Sequence, residues 1–301
     1  MRSRAPRIIV TGARGQVGWE LQRSLACLGD VIACERSQMD LGDTDSVVKA
    51  LQHLEPDIVV NAAAYTAVDK AEEEQDLAAQ VNATIPGVLA EEMRRRDGLL
   101  IHYSTDYVFG GQGDSPFSEQ DPTGPLNVYG KTKLLGEQNI TQVAGRHIIF
   151  RTSWVYSHRG RNFMKSMIRL GQERETLRIV ADQVGAPTCA RLISDVTAQV
   201  LHQVTKEVHD ASIDSGIYHL VAEGETSWFD FANAIFESLK KQREELNLKV
   251  QRVEPITSTE YPTPAMRPHN SRLSTGKLQA RFNLSLPNWQ DDLERCLADI
   301  C

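Results

Sequence analysis

The chain is poor in features that would staple it, anchor it in a bilayer or hold it on nucleic acid. Only five of its 301 residues are cysteine. Cys27, Cys34, Cys189, Cys296 and Cys301 are scattered, odd in number and without a CxxC pair. That excludes a disulfide framework or a zinc site and fits free thiols in a reducing compartment. Basic excess is also missing: 33 Lys and Arg stand against 40 Asp and Glu, a formal net charge of -7. A general nucleic-acid binder would carry a basic face. An anionic small ligand is still allowed, because one pocket can be positive on an acidic protein. No apolar run reaches the length of a membrane span. The run Ile8–Val10 behind the basic start is too short for a signal peptide. The chain therefore reads as cytoplasmic, with neither nucleic acid nor membrane as partner.

What is present is ordinary for a globular protein, 41% hydrophobic and 24% charged. The length suits two modest domains or one large domain with a lobe. Short apolar runs read as strands: Ile8–Thr11, Val31–Cys34, Ile58–Ala62, Leu99–Ser104 and Ile148–Thr152. Between them lie helical stretches at Val17–Leu28, Asp45–His53, Asp76–Arg96 and Tyr129–Val143. Nearly all-apolar strands alternating with helices predict an α/β protein with a doubly wound parallel sheet. After about Trp154 the pattern loosens, and proline and glycine become frequent. Only a strand-like run, Gly216–Val221, and a helix, Trp228–Glu244, stand out there. The expected division is a dinucleotide-binding domain over 1–154 plus about 190–206. A smaller C-terminal α/β substrate domain would take 155–189 and 207–301.

The first strand runs into Thr11-Gly12-Ala13-Arg14-Gly15-Gln16-Val17-Gly18, a GxxGxxG turn opening a helix. Gly12 permits the tight turn, Gly15 lets backbone approach a pyrophosphate, and Gly18 lets helix and strand pack closely. Amides at the helix start then face the phosphates. An acid or a base after the second strand usually selects NAD or NADP. Glu35 and Arg36 stand together there, and Arg14 lies in the turn, so NADH and NADPH both remain open. Asp40-Leu41 on the next loop is placed to contact the adenine.

Tyr129-Gly130-Lys131-Thr132-Lys133 is a YxxxK motif at a helix start. Residues four apart share a face, so Lys133 lies one turn beyond Tyr129. A nearby ammonium would lower the phenol's pKa and ready it to exchange a proton with a carbonyl oxygen as hydride moves. The motif alone is a common accident. Its place in the order is not: it follows the glycine turn, then Asn61 at one strand end and Thr105 at another. Residues at the carboxyl ends of parallel strands gather at the ligand crevice. Thr105 would offer a second hydroxyl there.

Together these residues resemble the extended short-chain dehydrogenase/reductase superfamily, with a Rossmann-type sheet. The likeness narrows to the dTDP-4-dehydrorhamnose reductase family through the segments beginning Asn61-Ala62-Ala63-Ala64-Tyr65-Thr66 and Ser104-Thr105-Asp106-Tyr107. Arg151-Thr152-Ser153-Trp154, Asp182–Thr188 and Tyr261–Pro268 carry it into the second half. The resemblance implies reduction of a dTDP-linked 4-keto sugar, dTDP-4-dehydro-β-L-rhamnose, to dTDP-L-rhamnose. It makes Tyr129 the proton donor, with Lys133 and Thr105. Tyr129 and Lys133 would also bind the cofactor, the Lys133 ammonium holding the nicotinamide ribose. It assigns Gly15, Gln16 and Val17 to the pyrophosphate. Asp40, Leu41, Ala64, Tyr65, Thr66 and Tyr103 would line the rest of the cofactor site. Thr105, Asp106 and Trp154 would meet the sugar nucleotide. Sister dehydratases carry an acid after the Thr-Asp pair. Tyr107 stands there, which favours reduction alone.

The resemblance also implies a homodimer in some members, held partly by magnesium between carboxylates. The matching positions are Glu20, Arg191 and Asp299. A guanidinium cannot bind a cation, though it can pair with carboxylates across an interface. Arg191 thus puts magnesium, and the dimer with it, in question. The reading from another class is a non-catalytic, NADP-binding regulatory subunit, against which Tyr129, Lys133 and Thr105 stand intact. A reductase for another nucleotide-linked keto sugar is the third.

Overall fold

The computed structural model describes residues 4–206 and 215–300. Five β-strands come first in the chain: β1 (Arg7–Thr11), β2 (Asp30–Ala33), β3 (Ile58–Asn61), β4 (Leu99–Thr105) and β5 (His147–Thr152). Gly216–His219 completes a six-stranded sheet, in the order β2, β1, β3, β4, β5 and then Gly216–His219. All five pairings are parallel. The strands alternate their side chains between two apolar layers. Ile8, Val10, Val60 and Ile101 enter one buried cluster, while Ile9, Val59, Leu100 and Ile149 enter another on the opposite face. A sheet covered on both faces needs apolar residues at every position, which is why its strands read as unbroken runs.

The helices are α1 (Gln16–Ser24), α2 (Thr44–Leu54), α3 (Val68–Ala71), α4 (Gln75–Ala79), α5 (Ile85–Arg95) and α6 (Val128–Val143). They are followed by α7 (Phe163–Glu173), α8 (Ala190–Lys206), α9 (Trp228–Gln242), α10 (Gly276–Phe282) and α11 (Trp289–Ala298). Leu21 of α1 and Ile193, Val196 and Val200 of α8 cover the first face. Val47 of α2, Leu89 of α5 and Ile140 of α6 cover the second. The molecule is thus an α/β doubly wound parallel sheet, as the strand–helix alternation predicts. The chain goes outward from β1 to β2 and then returns to β3 on the other side of β1. That reversal opens a crevice beyond the carboxyl ends of β1 and β3.

The second half holds short strands: Thr176–Val180 runs parallel to Arg252–Ile256, and Val184–Gly185 pairs antiparallel with Thr226–Ser227. Among the described residues, no helix is long and apolar enough to cross a membrane.

One predicted element differs. The stretch Asp76–Arg96 is not one α-helix. After α4 it widens into a π-helical turn, Gln80–Thr84, before α5 begins with Pro86 in its first turn. Proline has no amide hydrogen to give the preceding turn, so the ladder is re-spaced there. The buried Asn82 in the wide turn instead uses its side chain. It accepts from the Tyr65 amide at 2.9 Å and donates to the Tyr65 carbonyl at 3.1 Å and to Thr132 at 3.2 Å.

Candidate active site

A groove of about 620 Å3 lies over the crevice, walled by the glycine turn, the loop after β2 and the loop after β3. Its lining includes Gly12, Gly15, Asp40, Leu41, Ala64 and Tyr65. Gly12 has φ +63°, and a Cβ there would lie 2.8 Å from the Ala63 backbone. A Cβ on Gly18 would collide with the Gly12 carbonyl, so this glycine sets how closely α1 packs on the turn. Gly15 is the N-cap of α1 and carries no side-chain cap, so the first amides of α1 are left to a ligand. The donor set fits a pyrophosphate.

The loop after β2 is charged on both signs. Glu35 accepts from Arg14 through two bonds of 2.9 and 2.7 Å. Arg36 donates to Asp40 at 3.2 Å. The Gly42 amide, with Arg36 helping, holds the Asp40 carboxyl below its ordinary range. Tyr65 donates to Glu74 at 2.5 Å, which pushes its phenol up to about 12.

Gln16, Val17, Gly18, Thr66 and Tyr103 lie outside the groove lining. The Gln16 side chain turns to another loop, accepting from Asn162 at 2.8 Å and Ser157 at 3.2 Å. The Tyr103 ring is buried under α8, its hydroxyl 2.8 Å from Thr197.

Thr105 ends β4 and Tyr129 lies in the first turn of α6, where Asn127 caps the helix by accepting from the Gly130 amide at 2.8 Å. The Thr105 hydroxyl is near enough to the Tyr129 phenol to pull its pKa down against burial. Thr105 also donates to Asp106 at 3.0 Å and accepts from the Tyr107 amide at 3.2 Å. Burial pushes Asp106 up to about 6, against the downward pull of Ser271 and Thr105. Its second oxygen, Oδ2, is buried without a protein partner.

The expectation that Lys133 lowers the Tyr129 phenol is not met in this state. Burial dominates and raises the phenol to about 12. Lys133 is itself buried, its nitrogen 2.5 Å from the Tyr103 carbonyl and 3.2 Å from His102. Burial lowers that amine to about 8, against the opposite pull of Glu137.

The second half closes over this helix start. Asn127 donates to the Met266 carbonyl at 2.8 Å, and Arg267 pairs with Asp69 at 2.8 Å while its other terminal nitrogen is buried without a protein partner. Trp154 has φ +48° and stacks on Trp228 with ring centroids 3.5 Å apart. Ser271 and Trp228 escaped the sequence reading because only the fold brings Ser271 to Asp106 and Trp228 to Trp154, and Arg267, read only as part of Tyr261–Pro268, was given no role. The unpartnered Asp106 and Arg267 atoms and the stacked Trp154–Trp228 rings are the signals that expose them.

Glu20, Arg191 and Asp299 meet within the chain. Arg191 lies 2.6 Å from Asp299 and 3.8 Å from Glu20. Among the described residues no group of three or more His, Cys, Asp or Glu could hold a metal ion.

The family model of the RmlD substrate binding domain matches residues 6–301. A dTDP-4-dehydrorhamnose reductase of Burkholderia thailandensis is 48% identical over 98% of this chain and 99% of its own length. Its Escherichia coli counterpart is 46% identical over 97% of each chain. A solved dTDP-4-dehydrorhamnose reductase of Bacillus anthracis, in complex with NADP, is 36% identical and superposes with a TM-score of 0.84 over 97% of this chain and 98% of its own. A Thermus thermophilus UDP-glucose 4-epimerase complexed with NAD shares the fold at 19% identity, with a TM-score of 0.79 over 98% of each. By its sequence from end to end, and by a groove and hydroxyl pair set at the carboxyl edge of its sheet, this chain belongs to the dTDP-4-dehydrorhamnose reductase family.

Proposed function

We propose that the chain reduces dTDP-4-dehydro-β-L-rhamnose to dTDP-L-rhamnose with NADPH or NADH, Tyr129 giving the proton. The observation that carries this reading is the Thr105–Tyr129 hydroxyl pair at the end of β4, in a chain 48% identical to a reductase so named. The nicotinamide, when bound, supplies the hydride. Gly12, Gly15 and the first turn of α1 cradle the pyrophosphate. Asp40, Leu41, Ala64 and Tyr65 line the rest of the groove. Gln16, Val17, Gly18, Thr66 and Tyr103 belong to this site through their backbone or through packing.

As negative charge develops on the C4 oxygen of the sugar, Thr105 and Tyr129 donate hydrogen bonds to it, and the phenol transfers its proton. A phenol raised to about 12 is fully protonated at neutral pH, which suits an acid in the reducing direction. Asp106, with its free oxygen, and Trp154 hold the sugar nucleotide. The dinucleotide-binding part is 1–154 with about 190–206 and the sheet strand Gly216–His219; the remainder mainly binds substrate. Arg191 occupies the space between Glu20 and Asp299, so no magnesium is required there. The test is a panel of nucleotide-linked 4-keto sugars with NADH and NADPH. Turnover of the dTDP-linked rhamnose precursor above the others is expected. NADPH binding without turnover of any would assign the chain to the regulatory-subunit class instead.

A further inference from the structure

Lys133 begins a buried polar chain that runs back under the sheet edge. His102 Nε2 lies 3.2 Å from the Lys133 nitrogen, and His102 Nδ1 lies 3.0 Å from Asn61 Nδ2. Asn61 Oδ1 accepts from Thr11 at 2.6 Å, and Thr11 accepts from the Ala63 amide at 3.3 Å. The side chains of Thr11, Asn61, His102 and Lys133 are all buried.

The direction of each bond follows from the far end. The Ala63 amide can only donate, so the Thr11 oxygen accepts there and turns its own hydrogen to Asn61 Oδ1. Asn61 must then present its NH2 group to His102, and His102 Nδ1 must accept. Burial keeps the imidazole uncharged. A neutral ring that accepts at Nδ1 carries its hydrogen on Nε2. That hydrogen points at the Lys133 nitrogen. An ammonium has no lone pair to receive it, whereas a neutral amine does. Charging Lys133 would require the opposite tautomer of His102 and a turned Asn61 amide. The Thr11 hydrogen would then lose its acceptor in the protein, Asn61 Oδ1.

We propose that His102 is a positioning residue for the catalytic pair: its Nε2–H, oriented by Thr11 and Asn61, holds Lys133 as the neutral amine in the cofactor-free protein. The proposal rests on the reading of Tyr129 and Lys133 as acid and partner. Burial acts on Lys133 in the same direction, bringing it to about 8. The charged and titratable groups around it are few. Glu137 lies on its own helix and is bound by Arg151 of β5 at 2.9 and 2.6 Å. Tyr129 is one turn back on α6, and His102 and Tyr103 face it from β4. With Lys133 uncharged, nothing draws the proton from Tyr129 before substrate arrives. Proton uptake by Lys133 is tied to a change of tautomer two bonds away from the chemistry.

The test uses the native, cofactor-free protein labelled with 15N, at pH 8.5. The His102 ring nitrogens, assigned through the backbone, should show hydrogen on Nε2. Hydrogen on Nδ1 would overturn the proposal. The Lys133 ionisation is then followed by its 13Cε signal in the native protein and in His102→Gln, whose amide oxygen can accept from an ammonium. The variant should bind the Lys133 proton at least about tenfold more tightly, a rise of one pH unit. An unchanged ionisation would reduce His102 to packing. If His102→Gln does not fold, the tautomer in the native protein decides alone. Neither readout involves turnover, so failure of the acid assignment shows separately, as unimpaired reduction by Tyr129→Phe.

Discussion

Replacing Tyr129 with phenylalanine isolates one oxygen atom. The ring, its edge-to-face contact with Tyr107 at 5.6 Å and the α6 N-cap at Asn127 all survive. Thr105 keeps its hydrogen bonds to the Asp106 carboxylate and the Tyr107 amide. No buried polar group is left alone by the change. The stability cost should therefore be at most that of one net hydrogen bond, about 0.5–1.5 kcal/mol. The groove that receives the dinucleotide is lined by other residues, so NADPH affinity, read by fluorescence titration, should be unchanged. Activity should fall far more. Without its general acid the step should slow by ~10²–10⁴-fold, about 3–5 kcal/mol on the barrier at 1.36 kcal/mol per tenfold. The assay is NADPH oxidation at saturating dTDP-4-dehydrorhamnose, followed by absorbance. Near-native kcat in the variant would refute the proton-donor role, because nothing else about the site has moved. The pH dependence gives a second check with a defined sign. The phenol is raised to about 12, so it stays protonated below that value. Reduction should show no alkaline loss from Tyr129 across the neutral range.

Gly15→Val places a branched side chain at the N-cap of α1, in the groove wall; dinucleotide titration should show loss of binding with the circular dichroism spectrum retained. Asp106→Asn should stabilise the protein at neutral pH, because a carboxyl raised from 3.8 to about 6 makes folding less favourable as pH climbs through that interval. The gain, at most about 3 kcal/mol, should vanish below pH 3.8, where the acid is protonated in both states. Urea melts at pH 3.5 and 7.5 check it, and equal stability of the two proteins at the higher pH would refute the burial argument. EDTA should leave kcat and KM unaltered, since the Arg191 guanidinium already lies between Asp299 and Glu20; loss restored by magnesium would show that another acid completes a metal site.

The sheet was legible because its strands are buried on both faces. Ile8–Thr11 and Ile58–Asn61 carry no polar interruption, and the glycine turn marks where the first of them ends. Helix α6 was legible to within a residue because Asn127 punctuates its start. The π-helical turn was not, since apolar spacing is nearly the same in a slightly widened helix and Pro86 is tolerated in a first turn. Helices α7 and α8 and the Thr176–Val180 strand went unmarked, amid the glycine and proline that loosen the pattern after Trp154. In the site, Tyr129 and Lys133 are four apart and share a helix face, so spacing alone pairs them. His102 and Lys133 are 31 residues apart, and Asn61 and His102 are 41 apart. The second contact exists because β3 and β4 are neighbours in the sheet, with Asn61 opposite His102, and the first because α6 packs against β4.

Trp154 holds a backbone conformation that side chains with a Cβ rarely adopt, and its indole lies 11° from parallel with that of Trp228. Two indoles so close share their electronic excitation. Their near-ultraviolet circular dichroism should then be a coupled signal rather than the sum of two independent rings. Gly185 sits against the Trp154 ring, where a Cβ would lie 2.9 Å away, and Trp228 is tied to Gln183 at 3.2 Å. A sugar nucleotide that shifts Trp154 even slightly would therefore change an intrinsic optical signal. Binding at this end of the cleft would register with no label attached and no reaction under way.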